Sequence, residues 1–469
     1  MKKGIIAVLV VAALSLLGVG LYPFFSRKAP VVNSKEWKAE ITGAPAVEVQ
    51  EDQDDKFKIK RIIQAYKERN DQLLLEGQRL LREKKIDEAI HVFQQAMDGA
   101  SDPRPYASLI NIYLHLGREE DAYRILEKAG YYKTDMNWLV NEFDLKQFPK
   151  TTPESSEVVA IAPFKDNKAA AITFTFDDGP KSVYTQGLPL FDTYGFKASI
   201  FVNPGFIRGD ETHPAHGRWD DWRDAHRRGF EISNHGLDHL ILPELDEEEL
   251  ERQVNYAHDV IAQEIGEAPA SFVFPQDLHD QRTVEKALEK HLVVRQHGFL
   301  RQVYTSVMTP FYGGEYFSLA SANKLVDWSI DRRVWLIPVC HALPVEGIES
   351  YKPITMEFLR DHLAYIHEHE KDIWVDNFIN VYKYLLLRSK TQVRLIDQQD
   401  RSVVFALDNS TLVPSIPTLT VVVDTSPRKA REVTARHMSS GQELSCKIDG
   451  QRIILDVAPD GESVQVEWK

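Results

Sequence analysis

Short apolar runs alternate with amphipathic stretches across the middle of the chain. Each run is rich in β-branched and aromatic side chains, which predicts β-strands. The runs cover residues 171–176, 198–202, 230–233, 271–274, 292–295, 335–339 and 373–375. Among the intervening stretches, residues 247–265 place Leu250, Val254 and Ile261 on one helical face. This alternation predicts right-handed β-α crossovers and a parallel sheet or barrel over residues 167–390.

Beyond residue 390 the apolar positions change to a period of two. The runs are separated by Asp, Asn, Gly and Ser, and they cover residues 392–396, 403–407, 418–423, 432–435, 444–448, 452–457 and 463–468. They predict a small, all-β, sandwich-like domain over residues 391–469. Such a domain could bind sugar or pack against the preceding domain, and the sequence leaves both roles open.

Residues 61–147 show helical periodicity and an internal repeat. Three apolar positions recur with an offset of 33: Ala89, Phe93 and Ala96 correspond to Ala122, Leu126 and Ala129. The spacing resembles tetratricopeptide helix pairs, although a plain helical hairpin bundle would also fit. Such a repeat pair could hold a protein partner or a polymer. Residues 148–166 contain several prolines and serines, which predicts a linker.

The first residues differ from the rest of the chain. Residues 4–25 are uncharged and apolar, lie between basic residues, and are long enough to span a bilayer. We interpret residues 1–28 as an uncleaved signal anchor, with a cleaved signal peptide as the alternative. Residues 29–60 mix proline, glycine and charges, which predicts a tether. The chain would then be anchored in the inner membrane and face the periplasm or the extracellular side.

Composition limits the partners of this chain. Its 469 residues are 43% hydrophobic and 27% charged, as in ordinary globular proteins, and this length predicts several domains. A net charge of −14 disfavours nucleic acid, because nucleic acid is bound by basic surfaces. The two cysteines, Cys340 and Cys446, fall in different predicted domains and make no disulfide framework. A neutral or partly cationic glycan remains compatible with the charge.

Ionisable residues directly follow three of the predicted strands. Asp177 and Asp178 end the first strand before a Gly-Pro turn, His235 and His239 follow the third, and His341 follows the sixth. Because the C-terminal ends of parallel strands share one rim, we expect these side chains to meet there. Two histidines spaced i and i+4 with one carboxylate can hold a metal ion with an open position. The alternatives are an ordinary Asp-Gly surface turn and a pair of solvated histidines.

The motifs around these residues resemble those of the polysaccharide deacetylase family, the NodB-homology domain of carbohydrate esterase family 4. Residues 175–180 read Thr-Phe-Asp-Asp-Gly-Pro, and residues 231–239 contain a Glu-Ile-x-Asn-His lead-in and a His-x-x-x-His motif. The resemblance covers about residues 166–390. It implies an irregular (β/α) barrel between the helical repeat pair and the β-sandwich.

The resemblance also implies a role for each candidate residue. Asp177 would be the general base and His341 the general acid. Asp178, His235 and His239 would bind the metal. That metal would be zinc or another divalent transition metal such as cobalt, because imidazole ligands suit these ions.

Two family motifs are altered in this chain. The third usually carries an arginine before a Pro-Tyr-Gly-type turn, whereas residues 272–277 read Phe-Val-Phe-Pro-Gln-Asp. No arginine stands there to tether the base, and Asp277 could instead shape the groove. The fourth, an Asp-Trp pair, has a candidate in Asp327 and Trp328, although both fall in a predicted helix. His362, on the helix after His341, is predicted to face solvent.

The sequence therefore predicts a metal-dependent deacetylase acting on an acetylated polysaccharide, with N-acetylglucosamine polymers as the first expectation. One alternative is an esterase that removes O-acetyl groups from glycans. Another is a non-catalytic glycan-binding or assembly module with a deacetylase fold. The missing third-motif arginine motivates that reading, whereas the retained candidate residues disfavour it.

Overall fold

A computed structural model describes the chain at residues 69–97, 103–116, 118, 121–122, 124–125, 158–209, 213–295, 306–310, 318–409, 418–427 and 429–469. The chain divides into two compact units, residues 1–143 and residues 144–469. The predicted tether lies outside the described residues.

Helices make up the described part of the first unit. They cover residues 69–82, Ile86–Ala96 and Pro103–His115. Ala89, Phe93 and Ala96 are fully buried on one face of the second helix. Residues 126–147, which include most of the second predicted repeat, lie outside the described residues. The tetratricopeptide-like pair and its protein partner therefore stay predictions.

The membrane-anchored localisation predicted from the sequence is not supported and is corrected here. No helix in the described part of the chain, which begins at residue 69, is both long enough and apolar enough to cross a membrane. The apolar stretch on which the prediction rested, residues 4–25, lies outside the described residues. The prediction that the chain is held in the inner membrane through this anchor is likewise not supported.

The described part of the second unit contains strands that are numbered along the chain. They are β1 (Val159–Ile161), β2 (Ala170–Ile172), β3 (Phe174–Phe176), β4 (Ala198–Val202), β5 (Glu231–Asn234), β6 (Ser271–Val273), β7 (Val293–Arg295), β8 (Ser306–Pro310), β9 (Trp335–Cys340), β10 (Ile373–Val375), β11 (Thr391–Gln399), β12 (Ser402–Asn409), β13 (Leu419–Asp424), β14 (Val433–His437), β15 (Glu443–Leu444), β16 (Cys446–Asp449), β17 (Arg452–Val457) and β18 (Asp460–Trp468). The α-helices are Leu188–Thr193, Trp219–Arg227, Glu247–Glu251, Ala257–Ile265, Gln281–Leu288, Leu319–Arg332, Met356–Glu368 and Phe378–Lys390.

Strands β2 to β10 form one sheet in which neighbouring strands are parallel. The order is β10-β2-β9-β3-β4-β5-β6-β7, and β8 pairs with β9. Strands covered on both faces need continuous apolar runs rather than alternation, and all five residues of β4 are buried. The predicted β/α domain with a parallel sheet is confirmed.

Two antiparallel sheets form the β-rich C-terminal region, which is also confirmed. Their orders are β1-β13-β17-β16 and β11-β12-β18-β14-β15. β1 comes from residues 159–161, inside the segment predicted to be a linker, and it pairs with β13. The chain therefore enters the C-terminal sheets before it builds the parallel sheet.

The C-terminal sheets share a hydrophobic core with the parallel sheet. Leu385, on the helix that precedes β11, packs in one buried cluster with Trp335 of β9, Phe405 of β12 and Val421 of β13. Phe405 and Trp468, the aromatic residues of segment 391–469, are both buried. These contacts favour the packing role of this region over a sugar platform, which would need exposed aromatic rings.

His362 should make the unfolding free energy depend on pH. The ring is fully buried, it donates through Nδ1 to Asn323 Oδ1 at 2.6 Å, and burial lowers its pKa to about 3. The free energy of unfolding is unaffected by this ring above its unfolded pKa of about 6.5, and it falls as the pH falls toward 3. The reason is that the unfolded chain binds a proton that the folded chain excludes. At pH 5 the loss is about 2 kcal/mol.

Denaturant titrations at pH 7 and pH 5 measure this effect. His362→Gln should remove about 2 kcal/mol of the pH dependence. His367→Gln, an exposed histidine of the same helix, is the matched control, and the difference between the two variants isolates the effect of burying the ring. Equal pH dependence in the wild type and His362→Gln would contradict the assignment.

Candidate active site

The predicted site residues lie at the C-terminal rim of the parallel sheet. Asp177 and Asp178 follow β3, His235 follows β5, and His341 follows β9. His239 lies four residues beyond His235 in the same loop. The structure brings all five together, as their electrostatic interactions show.

Asp178, His235 and His239 form a group that could hold a metal ion. Asp178 Oδ1 lies 3.5 Å from His235 Nε2 and 3.4 Å from His239 Nε2. One ligand atom from each residue lies within 4.8 Å of the others. Burial alone would raise the pKa of Asp178. Its contacts with His235 and the other two histidines have a larger, opposite effect, so the pKa is lowered and Asp178 is a carboxylate. The donor set fits a divalent transition metal.

Backbone geometry aims these three side chains at one point. Asp178 and His239 both have left-handed φ angles, 70° and 56°. This conformation is uncommon for residues with a side chain and often marks functional sites. Gly179 continues the turn at φ 58°, where a Cβ would lie 3.0 Å from Val202 Cγ1. The Asp-Gly step therefore turns the chain back directly after the carboxylate.

Hydrogen bonds fix the orientation of His235. Its Nδ1 lies 2.9 Å from the carbonyl oxygen of Val273, so Nδ1 carries the proton and Nε2 is left to face Asp178. Asn203, which follows β4, donates through Nδ2 to the carbonyl oxygens of His235 and Gly236 at 2.6 and 2.9 Å. Partners of this kind set the tautomer and direction of a metal-binding imidazole.

Gln253 supports the loop that carries His239. It is fully buried and lies in a π-helical turn, Arg252–Tyr256. Its carbonyl oxygen accepts from Leu237 N at 2.9 Å, and its Oε1 accepts from Asp238 N at 2.8 Å. Single π turns within helices are frequently found at functional sites. Here the turn brings both oxygens of one residue to the loop between the two histidines.

Asp177 is held by an arginine that the sequence analysis did not find. Arg295 Nη1 donates to Asp177 Oδ1 at 2.9 Å, and Nη2 donates to Oδ2 at 2.6 Å. Arg295 is fully buried and Asp177 is 5% exposed. The expectation that no arginine tethers the base is wrong. The arginine comes from the end of β7, whereas the family's third motif follows β6.

This ion pair also shows that the sheet is rolled. β4, β5 and β6 lie between β3 and β7, so a flat sheet would hold the two strands about 19 Å apart. A direct bidentate contact between their ends requires the sheet to curve until the ends face each other. Arg295 Nη1 also donates to Thr175 Oγ1 at 2.7 Å, which ties the arginine to β3 itself.

The guanidinium decides the charge of Asp177. Burial alone would raise the pKa of this carboxyl, but Arg295, together with His235, holds it below its ordinary value. For His341, burial is the larger effect and lowers the pKa, although the carboxylates of Asp177 and Asp178 act in the opposite direction. The ring of His341 packs edge-on against Tyr351, with ring centroids 5.1 Å apart.

The candidates for the altered motifs lie in different places. Asp277 has a left-handed φ of 58° after β6 and interacts electrostatically with Arg295. Asp327 instead accepts a hydrogen bond from Tyr365 OH at 2.5 Å, between two helices, and Trp328 is buried in the core. The Asp327–Trp328 pair is therefore occupied in helix packing, as its helical pattern indicated.

Residues 164–294 match the family model described as polysaccharide deacetylase. A curated relative, named "Putative polysaccharide deacetylase YxkH" from Bacillus subtilis (strain 168), is 23% identical over 159 residues. The match covers 34% of this chain and 53% of that protein, so it spans about half the length of the relative. The resemblance to polysaccharide deacetylases inferred from the motifs is confirmed for this region.

Solved structures with weaker likeness carry related descriptions. A mutant of the peptidoglycan deacetylase PdaC from Bacillus subtilis shares 16% identity over 47% of this chain and 92% of its own, with a TM-score of 0.31. BA3943 from Bacillus anthracis, described as a CE4 family pseudoenzyme, shares 12% identity over 46% of this chain and 66% of its own, with a TM-score of 0.34. Likeness this low adds nothing to the assignment.

Proposed function

We propose that this chain is a metal-dependent deacetylase that hydrolyses acetyl groups of an acetylated polysaccharide, with N-acetylglucosamine-type glycans as the first candidates. One observation carries the proposal. A carboxylate clamped by a buried arginine, Asp177, lies beside a separate Asp-His-His group of metal-ligand type. A structural ion pair alone would not require the second group.

Asp178, His235 and His239 would hold the metal in this proposal. A divalent ion with two imidazole ligands and one carboxylate supplies Lewis-acid polarisation of the acetyl carbonyl when bound. Zinc suits this ligand set, and cobalt is the second candidate.

Asp177 and His341 would move the protons. Arg295 keeps Asp177 ionised and fixes both of its oxygens, so the carboxylate is ready to accept a proton from the attacking water. His341, on the neighbouring strand β9, would donate a proton to the departing amine. Burial lowers the pKa of His341, so the ring must take up a proton before it can donate one to the leaving group.

Arg295 also bears on the alternative of a non-catalytic module. That alternative was motivated by the absence of an arginine to tether the base. That reason for considering a non-catalytic module no longer holds, because Asp177 has a bidentate arginine partner. Removal of O-acetyl groups remains the second candidate reaction, since the same residues would serve an ester.

Removal of the metal should abolish acetate release. The purified chain should carry about one divalent ion, because Asp178, His235 and His239 offer the ligand types of an open catalytic site. Exhaustive chelation should stop acetate release from N-acetylglucosamine oligomers, and zinc or cobalt should restore it. Metal content by mass spectrometry and acetate release together measure the effect.

A pair of histidine variants controls this experiment. His235→Ala should lose both the metal and the activity. His226→Ala, a partly exposed histidine beside Glu267 on another element, should keep both. Full activity in demetallated protein would end the metal-dependent reading, and release of acetate from O-acetyl glycans alone would favour the esterase.

A further inference from the structure

A cleft with a volume of about 230 Å³ opens beside the candidate active site. It is smaller than the pockets of about 300–1,000 Å³ that take drug-sized ligands, so it suits a group such as one sugar ring. Its described lining residues include Lys181, Gln186, Pro214, Val345, Ile348 and Ser350.

The walls of the cleft are continuous with the segments that build the site. Lys181 stands three residues after Asp178, and its amide donates to the carbonyl oxygen of Ala215 at 2.8 Å. The next residue, His216, contacts the carbonyl oxygen of Asp178 through Nδ1 at 3.0 Å. Ser350, another lining residue, precedes Tyr351, whose ring packs against His341. A group in the cleft would therefore lie next to the acetyl group on which the site acts.

The described lining of the cleft carries one positive charge. Lys181 is the charged residue among its described lining residues, and no described residue forms an ion pair with its ammonium. Lys286 shows the contrast, because three carboxylates, those of Glu247, Glu251 and Glu289, surround its ammonium. In a chain with a net charge of −14, an exposed lysine that has no acidic partner among the described residues is available to a ligand.

The remaining lining residues suit a sugar. The side chains of Pro214, Val345 and Ile348 offer apolar surface to the C–H face of a ring. Gln186 and Ser350 add an amide and a hydroxyl that can bond to sugar hydroxyls. A few convergent polar groups on an apolar wall are the usual composition of a ligand site.

We propose that this cleft binds the sugar adjacent to the one that is deacetylated, and that Lys181 selects sugars that carry a negative charge. The inference rests on the proposed deacetylase function and names its substrate class as an acidic glycan. It departs from the expectation of a neutral or partly cationic glycan drawn from the net charge. The overall charge is negative, but the charged residue in the described cleft lining is a lysine.

The test compares acetate release from three oligosaccharides of equal length. One is a neutral N-acetylglucosamine oligomer, one alternates that sugar with a carboxylate-bearing sugar, and one carries sulfate esters instead. Lys181→Gln should raise KM for the carboxylate-bearing substrate about fivefold, the size of a partly exposed charge pair. Its kcat should be unchanged, and KM for the neutral oligomer should change by less than about twofold.

A matched variant and a binding measurement keep the outcomes separate. Lys447→Gln, an exposed lysine on β16, should behave as wild type on every substrate. The sulfated oligomer shows whether the cleft reads negative charge in general or a carboxylate in particular. High salt should reduce the preference, because it screens the interaction.

Failure of this inference and failure of the proposed function give different results. If Lys181→Gln affects the neutral and carboxylate-bearing substrates equally, or neither, the anion selectivity is wrong while the deacetylase stands. If the wild type releases acetate from no substrate, the proposed function fails. In that case, calorimetry on the wild type compares the affinities for the carboxylate-bearing and neutral oligomers. Equal affinities would contradict the proposed selectivity of the cleft for negative charge.

Discussion

Replacing Asp177 with asparagine should lower the turnover of acetyl hydrolysis by about 10²–10⁴-fold, the usual contribution of a general base. The bound metal should remain, because Asp178, His235 and His239 are untouched. Asparagine has nearly the shape of aspartate and keeps one oxygen toward Arg295, so the fold should persist with reduced stability. Acetate release, metal content and a denaturant titration on the same sample measure all three quantities.

Asp376→Asn is the matched control for this substitution. Asp376 is another largely buried carboxyl of the same unit, and it bonds to Asn377 and Asn380 at the start of the helix Phe378–Lys390. Its variant should keep turnover near that of the wild type. If Asp177→Asn lost its metal while still folded, the roles assigned to the two neighbouring aspartates would have to be exchanged.

Arg295→Met should lower the free energy of unfolding by about 3–5 kcal/mol, the cost of leaving one partner of a buried ion pair alone. Without the guanidinium, Asp177 loses the charge partner that most strongly opposes the effect of burial on its pKa, and its orientation is lost. Turnover should therefore fall by about 10²-fold, as when a reacting group is misplaced. Urea titration and acetate release measure the two effects.

A double variant separates the charge from the packing. Adding Asp177→Asn to Arg295→Met should cost less stability than the sum of the single changes, because no unpaired charge is then buried. Arg223→Met, which breaks a partly exposed pair with Glu264, should cost less than about 1 kcal/mol. Additive losses in the double variant would show that the two residues do not act as a pair.

The sequence was sufficient for the parts of the site that follow directly from strand ends. An apolar run that stops at an ionisable residue located Asp177, His235 and His341, and the parallel sheet brought them to one rim. Arg295 carries the same signal, because it ends the apolar run 292–295. Arg295 was missed because the arginine was expected at the third motif, after β6. In addition, sequence order does not show which strands face each other once a sheet is rolled.

Side-chain burial on helices was harder to predict than strand order. His362 was predicted to face solvent with its neighbours, but it lies under the sheet against Phe174, with ring centroids 5.9 Å apart. A histidine on an amphipathic helix can face either way, and only the packing partner decides. The π turn that places Gln253 likewise has no signature in residue type, since it depends on how the helix meets the loop after β5.

The Arg295–Asp177 contact also sets the order in which the site can form during folding. The two residues are 118 positions apart in sequence, so the entropy of closing a long loop must be overcome before they can meet. The family match ends at residue 294, one position before the arginine. A nascent or truncated chain that stops there would contain every metal-ligand candidate but would lack Arg295, β9 and His341, so the proposed proton-transfer residues are complete only after β9 has been made.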